Sequence, residues 1–366
     1  MGFEPPTTSR RLKKVFLLIL VTWVPLVLLS ALSGHAWGRF DTEPLLLAPV
    51  IYSRFLFVVP LLEVAQVVVE ASLGVQMRHF LDSGLVHERQ RPEFAAAREA
   101  VIRLRGSLPA EVLIAVLALS IAVPMRMYVD HGNVGSSWEK VGASITPAGW
   151  WYILVSLPIL FFFILRWLWI FMLWSWFLWR VSRLDLELTP THPDRAGGLG
   201  FLGWGLASFS IVLMAVSAVL SGSFVREVLH RGSSLDSLKY HIIVFVVLAI
   251  AILHAPLVAF TGKLVHSRLQ GLLDFGALIW RHDRSFDEKW VSSNETNQEN
   301  LLGSPDVSSL AALGVVYEHL ERMKIIPFDK KAVVVLLVAA LIPMIPLVGT
   351  AIPLLEILSK LGEFMV

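Results

Sequence analysis

The stretch WWYILVSLPILFFFILRWLWIFMLWSWFLW, residues 150–179, decides the fold. It carries a single charge, Arg166, and one proline, Pro158. A helix needs about 20 mostly apolar residues to cross the hydrocarbon core of a bilayer, and this run exceeds that. Trp150, Trp151, Trp176 and Trp179 gather at its two ends, where indole rings favour the headgroup zone. Trp167 and Trp169 flank Arg166 and are placed to shield it, with cation–π contact available.

Working outward, comparable runs lie at residues 15–33, 45–69, 108–123, 201–224, 240–261 and 332–355. The expected fold is an all-α integral membrane protein of about seven transmembrane helices. Residues 1–262 would form a bundle, 263–331 a cytoplasmic helical segment, and 332–366 a proline-broken membrane segment. Charged residues make up 16% of the chain and mean hydropathy is +0.67, against about 25% charged residues in soluble domains. The net charge of +2 gives no reason to expect nucleic acid as a partner. The chain has no cysteine, which excludes disulfides, thiolate zinc sites and iron–sulfur clusters. No phosphate loop, paired metal ligands or nucleotide fingerprint is present, so no cofactor is expected and an enzyme is the weakest reading.

Orientation follows from lysine and arginine, which accumulate on the cytoplasmic side. Arg10, Arg11, Lys13 and Lys14 precede the first run, which outlasts a signal-peptide core of 7–15 residues and reads as a retained helix. With the N-terminus inside and each run crossing once, only Arg39, Arg126, Lys140, Arg226, Arg231, Lys239 and Lys360 fall outside. The expected location is a bacterial inner membrane with a cytoplasmic N-terminus. In the last run Pro343, Pro346 and Pro353 remove backbone donors, so a kink, or a break near Pro346 with a short helix over 354–364, is expected.

Two inside segments read as helical. Phe94, Ala97, Val101 and Leu104 recur at helical spacing behind Pro92, which suits a short amphipathic helix at the membrane surface. Leu264, Leu269, Leu272, Leu273, Phe275 and Ile279 extend the sixth run. After a polar, flexible stretch at 292–305, Asp306 to Ser309 cap a second helix carrying Leu310, Leu313, Tyr317, Leu320 and Met323. The two should pair as an antiparallel hairpin, a surface for a protein partner.

Ionisable residues inside spans are costly and usually face a bundle interior or cavity. Glu63, Gln66 and Glu70 share one helical face by their spacing, and Arg54 lies nine residues before Glu63, before Pro60. Arg166 and His254 lie in the fourth and sixth runs. Two readings carry equal weight. In one, Arg54, Glu63, Glu70, Arg166 and His254 line a polar pathway; in the other, Arg166 pairs with Glu63 and only fixes helix packing. A separate candidate is the turn between the fourth and fifth runs. There, free N–H groups at a helix start, beside His192 and Arg195, suit an anion or headgroup phosphate. Alternatively, Asp194 caps the helix while Gly197 and Gly198 let the turn pack closely.

The motif His192-Pro193-Asp194-Arg195-Ala196-Gly197-Gly198-Leu199-Gly200, followed by Ser309-Leu310, Tyr317-Glu318, Arg322-Met323-Lys324 and Pro327-Phe328, resembles an uncharacterised family of bacterial polytopic inner-membrane proteins. The resemblance covers roughly the C-terminal half. It implies a helical bundle in the inner membrane and brings no activity. The leading functional reading is a small-solute or ion permease or channel. The alternative is a non-transporting scaffold or sensor that binds a protein partner through its cytoplasmic helices. The lipid bilayer is the surrounding partner in both.

Overall fold

A computed structural model describes residues 8–37, 44–129, 137–142, 144–231, 235–292, 301 and 303–351. The chain is an all-α membrane protein, 83% helical with almost no sheet. Among the described residues, seven helices are long and apolar enough to cross a membrane: α1 (Arg11–Leu32), α2 (Pro49–Asp82), α4 (Leu108–Met125), α5 (Pro147–Ser182), α6 (Gly200–Leu229), α7 (Asp236–Val291) and α9 (Lys330–Leu347). Two further helices, α3 (Arg91–Arg105) and α8 (Pro305–Glu321), stand outside these spans. A small antiparallel hairpin, Lys140–Val141 with Ser144–Ile145, precedes α5.

Side-chain bonds fix how the rods lie. Helices α2 and α5 run parallel: Arg54 meets Tyr152, Trp167 Nε1 donates to the Leu62 carbonyl at 3.1 Å, and Val86 pairs with Leu186 just past both helices. Helix α6 runs antiparallel to α2. Ser53 donates to the Ala218 carbonyl at 2.6 Å near one end, and Gly205 lies against Gln76 near the other. Helix α9 follows α6 in parallel, with Ser217 donating to the Ala340 carbonyl. The main core gathers the inward faces of α2, α5 and α6 around Phe55, Phe80, Phe177 and Phe209. Side chains such as Leu113, Val116, Val247 and Leu248 stay exposed on α4 and α7. Contiguous apolar surface of this kind is untenable in water and suits a bilayer.

Several boundaries move from the sequence reading. Helix α2 runs on to Asp82 rather than ending near residue 69. Its polar continuation is held by tertiary contacts, Gln76 facing Gly205 and Met77 and Phe80 buried. The sixth run is the first part of α7, which passes through a 3-10 stretch at Ala255–Phe260 and continues far beyond it. Its distal half packs antiparallel on α8: Gly271 meets Leu320, Gly276 meets Tyr317, Ser309 meets His282, and Lys289 binds Asp306 at 2.9 Å. The cap of α8 is Ser304, with Pro305 in the first turn, so Asp306 lies inside the helix and not before it. The proline-rich last span continues through a 3-10 turn at Ile342–Met344 into Ile345–Ala351, without a break at Pro346. Pro353 and the short helix expected over 354–364 lie outside the described residues, as does most of the polar stretch at 292–305.

Helix α3 buries Phe94, Ala97 and Val101 against α5, with the Phe94 and Phe177 rings 5.5 Å apart, while Leu104 remains exposed. Helix α3, the turn before α6 and the α7–α8 hairpin all stand at one end of the bundle. We call it the hairpin end, and the other the strand end.

Candidate functional site

The turn at the hairpin end builds inward from Asp194. Its Oδ1 accepts from the amides of Ala196 at 2.8 Å and Gly198 at 3.2 Å, and its Oδ2 from Gly200 at 2.8 Å, the first residue of α6. His192 Nδ1 stands 2.8 Å from Oδ1. Burial alone would raise the carboxyl pKa; the amides of Ala196, Gly200 and Gly198, with His192, outweigh it and hold Asp194 below the usual aspartate value. Three residues in the turn adopt left-handed backbone, Arg195 (φ 56°), Gly197 (φ 62°) and Gly198 (φ 96°), a conformation that side chains disfavour. The amides that would face an added anion already hold the chain's own carboxylate. This is the capping alternative of the sequence reading.

The same turn seats the hairpin. The Lys324 amide donates to the Arg195 carbonyl at 2.7 Å, His319 Nε2 lies 2.9 Å from the His192 carbonyl, and Met323 packs on Gly197. One turn further, a Cβ on Gly203 would stand 2.5 Å from the Pro327 carbonyl oxygen and 2.7 Å from the Asp329 nitrogen. The turn at 192–200 and the stretch at 319–329, over a hundred residues apart in sequence, are thus the two sides of one joint.

The ionisable residues in the spans do not converge. Glu63, 4% exposed, takes the Lys14 ammonium at 2.8 Å, and its other oxygen has no partner. Glu70 pairs with Arg105 at the end of α3. Arg166 has no hydrogen-bond or ion-pair partner among the described residues, so the expected Arg166–Glu63 pair is replaced by Lys14–Glu63. The reason is geometric. Trp167, not Arg166, faces α2, and the residue beside it on α5 points about 100° away. His254 Nδ1 lies 2.8 Å from the Ile250 carbonyl of its own helix, while its Nε2 is buried without a partner. No hydrogen bond or ion pair joins any two of Glu63, Arg166 and His254.

Arg54 is in a different setting, at the strand end. One terminal nitrogen donates to the Tyr152 hydroxyl, the other to Ser223 Oγ at 3.4 Å, and Nε is buried with no acceptor. It lines a cavity of about 350 Å³ between α2, α5 and α6, together with Tyr152, Ser223, Glu139 and Arg226. Both Arg54 and Tyr152 sit on π-helical turns, Tyr52–Val58 and Tyr152–Ser156. A proline explains each. Pro60 and Pro158 lack an N–H, and the amide just before each one reaches back five residues, Val59 to Arg54 and Leu157 to Tyr152.

Sequence reasoning named Arg54 but missed Tyr152, Ser223, Lys14 and Arg105 as partners. One signal was present: Arg54 and Tyr152 each stand six residues before a proline and five after another, Pro49 and Pro147. The chain matches no protein-family model, and no curated protein or solved structure matches it.

Proposed function

We propose that this polytopic protein is a non-conducting scaffold or sensor of a bacterial inner membrane, with its N-terminus and hairpin in the cytoplasm. The observation that carries the reading is that the two carboxylates in the interior of the second span are neutralised by cations of the chain itself, Glu63 by Lys14 and Glu70 by Arg105. A polar pathway needs such groups exchangeable with water or solute; here each is held by an internal partner. The permease reading, with Arg54, Glu63, Glu70, Arg166 and His254 along one path, loses its main support.

The partner surface would be the outer face of the hairpin. Leu269, Leu273, Ala277 and Trp280 fall on one side of α7 beyond the span. Leu273 is 74% and Trp280 63% exposed. Such a stripe on a segment held away from the bundle, and seated by the Asp194 joint, suits a protein partner.

Flux decides between the readings. Proteoliposomes containing the full chain should hold potassium and proton gradients as tightly as empty vesicles, with no change on Glu63→Gln or Arg166→Gln. A flux that Glu63→Gln abolishes would restore the permease. A photo-crosslinker at Leu273 in living cells should give a discrete adduct that a probe at Asp283 does not. Reporter fusions after Val141 and after Ser292 should report opposite sides of the membrane, with the second in the cytoplasm.

A further inference from the structure

A guanidinium inside a membrane bundle stays protonated in any accessible pH range, so its charge must be met by an anion or by water. Among the described residues, the hydrogen-bond partners of Arg54 are two neutral hydroxyls, and its Nε has none. Tyr152 accepts from Arg54 and has no acceptor of its own among the described residues, so its O–H remains to be donated. Ser223 has already given its proton to the Val219 carbonyl at 3.0 Å. One fixed cation and one undonated hydroxyl proton therefore meet at one wall of the cavity, while the Arg54 Nε is buried behind it. Arg226 also lines the cavity, and Glu139 is the one carboxylate in the lining among the described residues; both have interactions of their own, and neither bonds Arg54.

Depth gives the second constraint. Arg54 and Tyr152 each stand five residues into their helices, about 8 Å at 1.5 Å per residue, from Pro49 and Pro147 at the strand end. With the helix starts set at the headgroup level, that is the depth at which a lipid phosphate or carboxylate meets the hydrocarbon. From there the α5 wall of the cavity descends through Leu157, Leu160, Phe161 and Ile164. Along α5 these lie roughly 15–25 Å from the helix start. The cavity thus has a cationic head and an apolar body running inward, in the order of polarity of an anionic lipid entering from that leaflet. Both π-helical turns fall at the head, where the bulges bring Arg54 and Tyr152 together.

We infer that this cavity binds an anionic amphiphile, its phosphate or carboxylate on Arg54 and Tyr152 and one acyl chain along Leu157 to Ile164. A guanidinium forms charge-assisted bonds to such oxyanions, and a pocket of this size falls within the usual range of about 300–1,000 Å³. The head chemistry is common to an anionic phospholipid and a free fatty acid, and the site would distinguish either from a zwitterionic lipid.

The test is native mass spectrometry of the full chain in detergent, with equal amounts of dioleoylphosphatidylglycerol and dioleoylphosphatidylcholine, and separately with oleate. The wild type should retain phosphatidylglycerol over phosphatidylcholine by about tenfold, a 1.4 kcal/mol preference. Arg54→Gln should erase that preference and Arg54→Lys keep part of it. Ile164→Trp fills the apolar part without touching the head group, and should lower occupancy of either anion while leaving Arg54 in place. If Arg54→Gln does not fold, judged by its elution and unfolding transition, Arg54→Lys and Ile164→Trp decide. Oleate retained in an Arg54-dependent way, with no phosphatidylglycerol preference, supports the site and names the fatty acid as its source. Equal retention of all lipids by the wild type overturns the inference. So does a preference that persists in folded Arg54→Gln, or an undiminished preference in Arg54→Lys together with unchanged occupancy in Ile164→Trp.

Discussion

The two ends of the bundle treat a single charge in opposite ways. At the hairpin end, Asp194 is surrounded by three amides of its own turn and by His192. At the strand end, Arg54 bonds two neutral hydroxyls among the described residues, beside a cavity. A charge that the chain neutralises with its own backbone fixes geometry, here the start of α6 and the seat of the hairpin. A charge whose partners among the described residues are all neutral is open to an anion from elsewhere. Glu63 and Glu70, with Lys14 and Arg105, belong with Asp194 in this respect.

The comparison breaks most readily at Asp194. Asp194→Ala removes three charge-assisted bonds and should cost about 3 kcal/mol in detergent unfolding, with the hairpin becoming protease-sensitive before the spans. Asp194→Asn should retain part of this. Because folding lowers this carboxyl pKa, its contribution is present above the unfolded value of about 3.9 and is lost as pH falls through the folded value. The wild type should therefore keep its advantage over Asp194→Asn from neutral pH down to about pH 4 and lose it below. An advantage already gone at pH 6 would refute that account.

The next effect is steric. Gly203→Ala drives a Cβ into the backbone of Pro327 to Asp329, and should cost about 2 kcal/mol in the same assay. Gly205→Ala meets only the Gln76 side-chain amide, which can turn away, and should cost less. If both are silent, the joint is looser than its contacts imply. Lys14→Met would leave Glu63 buried without its counter-charge. Lys14 is 49% exposed, which brings the cost of breaking the pair to about 1–2 kcal/mol, below the figure for fully buried pairs. Adding Glu63→Gln should recover most of it, and a double mutant no better than Lys14→Met would remove Glu63 from the class of self-neutralised charges.

The smallest stability effect is expected at Arg54. Arg54→Gln gives up bonds to two hydroxyls and relieves an uncompensated charge, so the change should stay within about 1 kcal/mol of zero. A loss as large as that of Asp194→Ala would mean that Arg54 is structural, and the contrast between the two ends would vanish.

Much of this architecture was legible in the chain because bilayer crossing depends on local composition. The run at residues 150–179 and its counterparts mark all seven spans, since a lipid-facing helix must be apolar along its length. The antiparallel hairpin was legible from its helical spacing, and the capping role of Asp194 was one of two readings of its turn. Helix ends held by distant contacts were not. The reach of α2 to Asp82 depends on Gly205 and on Phe80 packing with Phe94 and Phe177. The partners of the buried charges were not legible either, because a pairing across helices depends on rotation and register, which sequence spacing within one helix leaves open.

By itself, then, the sequence determined a seven-helix membrane protein with a helical hairpin, because hydropathy and helical period are properties of each segment alone. Tertiary structure alone decided which charge meets which. It gave Lys14 to Glu63, Arg105 to Glu70 and the turn's own amides to Asp194, and left Arg54 with hydroxyls beside a cavity. The physical reason is that electrostatic pairing acts over a few ångströms, and only packing brings residues that are far apart in the chain within that distance.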